Sequence, residues 1–270
     1  MVETEKAGRD LDAILDRIRK GLEVAGEVLA DFTPGMIETR RKEGGDPVTA
    51  ADLAVNEALH AILPAEGDGW LSEETEDDPS RMEHRVMWAV DPIDGTKEFV
   101  MGLPEWCVSI GYVDGGSAVA GGIYNPAAGK KIVGAIGKGV WLNDEPVRAT
   151  EASGLDGSLV LASRSEVKRG QWDRFQGGSF TITAMGSVAY KMGLVAAGEA
   201  DATWTLVPKH EWDVAAGVAL VKAAGGESRT LQWGVPGFNK EKLLFDGLVA
   251  AGPRLIGPIG AFLELAPASK

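Results

Sequence analysis

Apolar residues recur at helical spacing near the start of the chain, where Leu11, Ile14, Leu15, Ile18, Leu22, Val28 and Leu29 are separated by charged groups. That period predicts a long amphipathic helix with one buried stripe. After a polar stretch from Arg40 to Asp46, the segment VTAADLAVNEALHAIL places Ala51, Leu53, Leu59, Ile62 and Leu63 on one face of a second helix. This helix should begin near Thr49 and Asp52 and end at Pro64.

The period then shortens. EGDGWLSEETEDDPSR predicts a short strand around Trp70 and Leu71 that runs into an acidic loop. VMWAV, Val86 to Val90, is almost wholly apolar, as expected of a strand buried on both faces and stopping at Asp91-Pro92. From Trp106 to Val140 the alternation of CVSIGYV, with turn residues at Asp114-Gly115-Gly116 and Asn125-Pro126, predicts an antiparallel meander. A linker-like stretch from Thr150 to Gly157 separates this from alternating strands and helices: SLVLASRS, TITAM, GSVAYKMGLVAAG, DATWTL and EWDVAAGVALVKAAGG. Two lobes are expected, an α+β lobe over residues 1–150 and an α/β lobe over 151–270.

Composition narrows the chemistry. With 44% hydrophobic and 25% charged residues over 270 positions, the chain is ordinary for a folded globular protein. Its formal charge of −13 repels nucleic-acid polymers, so a phosphorylated substrate must be small and its charge met locally. No apolar run reaches a membrane-spanning length, and the N-terminal pattern is not a secretory leader. One cysteine, Cys107, allows no internal disulfide and fits a reducing cytoplasm. Three scattered histidines make a zinc site or a Ser-His-Asp triad unattractive, which leaves carboxylates.

Asp91-Pro-Ile-Asp-Gly-Thr96 puts two carboxylates three residues apart where a buried strand breaks into a turn. Magnesium is usually held by one or two carboxylates with water and substrate phosphate. Asp91 and Asp94 can share one face of the turn, with the Ile93 carbonyl between them, and Gly95 and Thr96 can open a helix whose N–H groups suit phosphate. A plain Pro-Asp-Gly turn with a capping Asp91 and a solvated Asp94 accounts for the same residues. Glu73 can bridge two ions or belong, like Glu76, Asp77 and Asp78, to a solvated loop, and Asp213 can be a ligand or an N-cap.

Five blocks together resemble the inositol monophosphatase superfamily, which includes 3'(2'),5'-bisphosphate nucleotidases and some fructose-1,6-bisphosphatases. They are DPVTAAD (Asp46 to Asp52), LSEET (Leu71 to Thr75), WAVDPIDGTKEF (Trp88 to Phe99), GSVAYKMGLVAAGEAD (Gly186 to Asp201) and EWDVAAGVALVKAAGG (Glu211 to Gly226), in family order and approximate spacing. The resemblance implies a layered αβαβα sandwich, a homodimer, lithium sensitivity and a phosphate monoester hydrolase using two or three Mg²⁺ ions. It further implies that Glu73, Asp91, Asp94, Asp213 and the Ile93 carbonyl are metal ligands. Thr96, hydrogen-bonded to Asp52, would then polarise the attacking water with help from Glu73, and the Gly95 and Thr96 N–H groups would meet the phosphoryl oxygens. Thr49 is read as part of a helix start.

DGTKEF, Asp94 to Phe99, is similar to the nucleotidase form of the motif rather than the DGTTNF common in inositol monophosphatases. Lys191, in the helix beginning at Ser187, lines up with a lysine of the nucleotidase motif GSSLKFCLVA, from which this chain departs by one extra residue and by Val188-Ala189. Ser163-Arg164-Ser165 is similar to a nucleotidase S-R-S segment. Ser187, Lys191 and Arg164 are therefore candidate substrate contacts, with adenosine 3',5'-bisphosphate favoured over an inositol or sugar phosphate. A helix-surface role for Lys191 and a strand-end ion pair for Arg164 are the plain alternatives. A scaffold that has lost its chemistry is the remaining alternative, which the intact carboxylate set opposes. No role is assigned to His210.

Overall fold

The computed structural model describes residues 10–41 and 47–265; most of the expected polar stretch before the second helix, with Asp46, lies outside them. Helix α1 (Leu11–Leu29) starts at Asp10, whose carboxylate accepts from the Asp12 N–H at 3.0 Å, and buries Ile14, Leu15, Ile18, Leu22 and Leu29 as its apolar spacing requires. A small antiparallel pair, β1 (Thr39–Arg41) and β2 (Pro47–Thr49), leads into α2 (Ala50–Ile62). Here the helical period misplaces two residues. Leu53 and Ile62 lie on the solvent side, while Val55 joins Ala51 and Leu59 inside.

The meander is longer than expected. Strands β3 (Gly69–Ser72), β4 (Val86–Asp94), β5 (Cys107–Asp114), β6 (Ser117–Asn125), β7 (Lys130–Ala135), β8 (Gly139–Leu142) and β9 (Glu145–Val147) form one sheet in chain order. Only β3 and β4 are parallel among its pairs. Strand β4 does not stop at Asp91-Pro92. Its pairing with β5 skips from Asp91–Ser109 to Asp94–Cys107, and that irregularity lets Pro92, which has no N–H to donate, sit inside the strand. A five-residue helix, α3 (Thr96–Val100), follows directly.

The second half builds a five-stranded sheet. Its elements are β10 (Leu159–Ser163), α4 (Arg164–Lys168), β11 (Thr181–Met185), α5 (Val188–Ala196), β12 (Ala202–Thr205), β13 (Lys209–His210), α6 (Glu211–Ala223), β14 (Glu227–Thr230), β15 (Leu244–Phe245), β16 (Leu248–Ala251) and α7 (Ile256–Phe262). The sheet order is β11-β10-β12-β16-β14, parallel over the first three strands and antiparallel thereafter, while β13 and β15 pair separately.

The layers follow from which faces are apolar. Helices α1 and α2 cover one face of the seven-stranded sheet through Ile18, Leu22, Leu59, Trp88 and Ile110. Helices α5 and α6 fill the space between the two sheets, where Met192, Ala215, Ala216 and Leu220 share a core with Ile123, Ile132 and Leu248. Helix α7 and the aromatic segment Trp172, Phe175 and Phe180 close the outer face of the second sheet around Trp204. This is the αβαβα sandwich. Its central helix layer sits very near the first sheet: a Cβ on Gly121 would lie 2.7 Å from the Ala216 carbonyl oxygen, so no larger residue fits there. No helix among the described residues is long and apolar enough to cross a membrane.

Candidate active site

The ends of β3 and β4 are held side by side by parallel pairing of Ser72 with Val90, and the Glu73 N–H extends the ladder to the Val90 carbonyl at 3.3 Å. Glu73 is thereby brought level with Asp91. Asp213 comes from the first turn of α6, and carboxylate oxygens of Glu73, Asp91 and Asp213 all lie within 4.8 Å of one another. Asp94 stands beside them but is turned towards α5: its Oδ2 accepts from Ser187 Oγ at 2.7 Å and from the Ala189 N–H at 2.6 Å.

Of these crowded carboxylates Asp91 is buried and Glu73 and Asp213 are half-buried, and negative charges at this spacing repel one another. Burial, then the charges of Glu73, Asp94 and Asp213, raise the Asp91 carboxyl well above its ordinary value. Burial lifts Asp213 to about 7 and raises Asp94, the latter against the pull of its hydrogen bonds from Ser187 and Ala189 and of the Lys191 charge. A hard divalent cation relieves this repulsion, and an all-oxygen set of this kind is what Mg²⁺ takes. The donor set therefore fits the metal.

The Asx geometry at the turn positions the remaining groups. The Ile93 N–H donates to Asp91 Oδ1 at 3.0 Å, and Thr96 Oγ1 lies 2.9 Å from the Ile93 carbonyl oxygen and 3.1 Å from Asp52 Oδ1. Gly95, at φ 98°, could carry no side chain, because a Cβ would also lie 3.0 Å from the Glu105 carbonyl oxygen.

Asp52, beside the cluster, and Asp213, within it, also cap helices. Asp52 Oδ2 accepts from the Thr49 N–H at 2.8 Å and from Thr49 Oγ1 at 2.6 Å, closing the capping box of α2, while Oδ1 is left to Thr96. Asp213 Oδ2 likewise accepts from the His210 N–H at 2.8 Å at the start of α6. At Asp52 the oxygen that closes the cap is not the one that accepts from Thr96. Burial raises the Asp52 carboxyl against these hydrogen bonds.

The cavity at this cluster encloses about 340 Å³ and is also lined by Ser163, Arg164, Ser165, Arg169, Lys191, Lys209 and His210. Arg164 Nη2 bonds Glu105 Oε1 at 2.6 Å, its Nε lies 3.8 Å from Glu98 Oε1, and the side chain keeps 36% of its exposure. Lys191 is not the surface residue of the plain alternative: it is 2% exposed, burial pushes it down to about 8, and its ammonium donates to carbonyl oxygens of its own helix start. Ser187 meets Asp94 as well as the cavity. Of the acidic loop, Asp77 is exposed as expected and also pairs with the buried Arg81 at 2.6 Å. His210 stacks on Trp212 at 4.3 Å between centroids.

Lining residues that were not singled out from sequence include Glu98, Lys209 and Arg169. Glu98 sits within DGTKEF but is buried, Lys209 belongs to a two-residue strand with no periodicity to reveal it, and Arg169 lies on an irregular loop. Only the position of Glu98, inside a motif, carried any signal.

With this geometry in hand, similarity to known proteins is informative. The chain belongs to the inositol monophosphatase family, which it matches over residues 11–257. It is 32% identical to an inositol-1-monophosphatase of Mesorhizobium japonicum over 82% of this chain and 83% of that protein. It is 33% identical to the 3'(2'),5'-bisphosphate nucleotidase CysQ of Salmonella typhimurium over 74% of this chain and 84% of that protein. The fold matches the extragenic suppressor protein suhB of Bartonella henselae with a TM-score of 0.78, at 24% identity, over 95% of this chain and all of that one. Membership makes the chain a phosphatase, and the acidic cluster accords with the Mg²⁺ dependence general in the family.

Proposed function

We propose that this enzyme hydrolyses adenosine 3',5'-bisphosphate, acting as a 3'(2'),5'-bisphosphate nucleotidase. The observation that carries the reading is that one cavity is lined both by the carboxylates of Glu73, Asp91, Asp94 and Asp213 and by the guanidinium groups of Arg164 and Arg169. A substrate with a second phosphate uses both ends; an inositol phosphate with one phosphate uses only the first. Relatedness to the Salmonella nucleotidase supports it, and near-equal identity to the Mesorhizobium inositol-1-monophosphatase makes inositol phosphate the second reading.

A phosphate monoester dianion repels its nucleophile, so hydrolysis requires charge neutralisation, an activated water and a stabilised leaving oxygen. Glu73, Asp91, Asp94, Asp213 and the Ile93 carbonyl would hold the Mg²⁺, as two or three ions, which would supply Lewis acidity and lower the pKa of water. The chain supplies the rest. Thr96 Oγ1 donates its one proton to Asp52 Oδ1, which leaves the hydroxyl lone pairs to accept from the attacking water. Asp52, raised by burial, is a suitable acceptor for the proton that leaves that water through Thr96. Glu73 assists from the metal side, and the Gly95 and Thr96 N–H groups receive charge building on the phosphoryl oxygens.

Arg164, which lines the cavity with a partly exposed side chain, meets the second phosphate. The same reading expects inhibition by Li⁺, a homodimer and a cytoplasmic location. Comparing kcat/KM on the two substrates tests it. Adenosine 3',5'-bisphosphate is expected to exceed inositol 1-phosphate, and Arg164→Ala to lower only the former, by roughly ten- to a hundredfold for a lost charge-assisted contact. Preference for inositol phosphate, or equal losses on both, selects the second reading.

A further inference from the structure

Lys191 sits at the first turn of α5, and its Nζ lies 2.8 Å from the Ser187 carbonyl oxygen, 3.2 Å from that of Gly186 and 3.5 Å from that of Met185. An ammonium has three donors, and here three main-chain acceptors surround it. The carbonyls belong to one tight turn. Ser187 is held at φ 51°, sparsely populated for a residue with a side chain, and Gly186 is so close to Glu98 and Glu105 that a Cβ would lie 2.4 Å from Glu98 Cδ. Three carbonyl dipoles converging without a cation would repel one another, although the Ser187 oxygen keeps a main-chain donor, the Lys191 N–H at 3.3 Å.

The same turn grips Asp94. Ser187 Oγ and the Ala189 N–H both donate to Asp94 Oδ2, and Ser187 Oγ also accepts from the Tyr190 N–H at 3.0 Å. A chain of contacts therefore runs from the Lys191 ammonium, through the main chain of residues 185–187, to the orientation of the Asp94 carboxylate. With Oδ2 fixed by two donors, Oδ1 is the oxygen directed elsewhere. We propose that Lys191 is a positioning residue that locks the strained Met185–Ser187 turn and so presents Asp94 to the cation, rather than a ligand of the substrate's second phosphate. This rests on Asp94 being a metal ligand.

The test separates the two. Metal-depleted protein is titrated with Mn²⁺, binding being followed by loss of the free-ion EPR signal, and kcat and KM are measured on inositol 1-phosphate and adenosine 3',5'-bisphosphate. Lys191→Met should weaken Mn²⁺ binding by about tenfold, the scale seen when groups that orient metal ligands are removed, and lower kcat alike on both substrates with little change in KM. Ser187→Ala should shift Mn²⁺ affinity in the same direction, and the double variant should be less than additive. Should Lys191→Met not fold, Lys191→Gln, which keeps two donors for the carbonyls, carries the same measurements. Unchanged Mn²⁺ affinity in a folded Lys191 variant, additive losses, or a loss confined to the bisphosphate would overturn the inference. Failure of the wild-type protein to bind Mn²⁺ would instead remove the metal reading beneath it.

Discussion

The two ends of the active-site cavity are built by different means. At the carboxylate end, Asp91 and Asp94 flank an irregularity in a buried strand, Glu73 is tied to that strand by a main-chain hydrogen bond, and Asp52 and Asp213 occupy the first turns of 13-residue helices. Main-chain geometry places every one of these oxygens. At the other end, Arg164 and Arg169 project from a five-residue helix and the loop after it, restrained by side-chain contacts with Glu105, Glu98 and Gln171. Rigid elements give the precision that bond breaking needs, whereas long side chains on short elements can change without disturbing the fold. On the proposed reading, the chemistry is fixed by the sandwich and substrate choice is carried by its margin.

The most severe way to break the rigid end is Asp91→Asn. Losing one carboxylate from the metal cluster removes transition-state charge stabilisation worth several kcal/mol, so kcat at saturating Mg²⁺ should fall on the order of 10³-fold. The metal-free protein should meanwhile melt higher, because a buried carboxylate that its neighbours destabilise has been neutralised. Steady-state kinetics and thermal melts in EDTA check both. Near-normal turnover would exclude Asp91 from the metal site.

Next in size are Thr96→Ala and Asp52→Asn, each expected to lower kcat by roughly 10²-fold or more with KM little changed, because proton handling acts in the transition state. Asp52→Asn also weakens the α2 capping box and should cost about 1 kcal/mol of stability, whereas Thr96→Ala does not touch the cap. Thr49→Ala removes the cap hydroxyl and one hydrogen bond to Asp52, so stability should fall with a smaller loss of kcat than in Asp52→Asn. If Thr96→Ala and Asp52→Asn were additive in the double variant, the two residues would not work as one unit.

How much was legible in the sequence follows the same division. The strand ends, the DPIDGT turn and the α6 start could be read because main-chain punctuation and apolar periodicity fix them, and the layered fold followed from that pattern and the family resemblance. Leu53 and Ile62 were misplaced because a helix packed on a twisted sheet buries a narrower stripe than its spacing suggests. Strand β4 was cut short because proline usually ends a strand, and only pairing with β5 shows the irregularity that admits Pro92. Lys191, Lys209 and Arg169 could not be placed, since where a long side chain ends depends on neighbours distant in sequence. At Asp213 capping and metal ligation stand as alternatives in the sequence, although a carboxylate has two oxygens, and the Thr49 bonds of Asp52 are visible only in the structure.

The carboxylate end also sets a pH signature. Asp213 is lifted to about 7 from 3.8, and Asp91, Asp94 and Asp52 move the same way. A carboxyl with a raised folded-state pKa binds its proton more tightly when folded, so its contribution is full below the unfolded value and is lost as pH rises through the folded one. In EDTA, the cluster should therefore destabilise the protein progressively between about pH 4 and pH 7. Mg²⁺ displaces those protons, and the stabilisation it gives should grow over the same interval. Melting curves at pH 5.5 and 7.5, with EDTA or Mg²⁺, measure this; a Mg²⁺ stabilisation independent of pH would show that the cluster is already ionised.

The smallest effect belongs to the margin of the cavity. Arg169 is exposed, and its guanidinium is shared with Gln171 Oε1 through Nε at 3.2 Å and an Nη at 3.1 Å, so it starts from a solvated, neutral partnership rather than a buried ion pair. An exposed charge contributes on the order of 0.2–1 kcal/mol, which is at most about a fivefold change. Arg169→Ala should accordingly lower kcat/KM for adenosine 3',5'-bisphosphate by about two- to fivefold, leave inositol 1-phosphate unchanged, and lose even that difference at high salt, where the charge is screened. Arg164, partly buried and held by Glu105, should keep its larger effect under the same conditions. A salt-resistant loss at Arg169 as large as that at Arg164 would mean that the arginine end is as tightly constructed as the carboxylate end, and the contrast between the two would fail there.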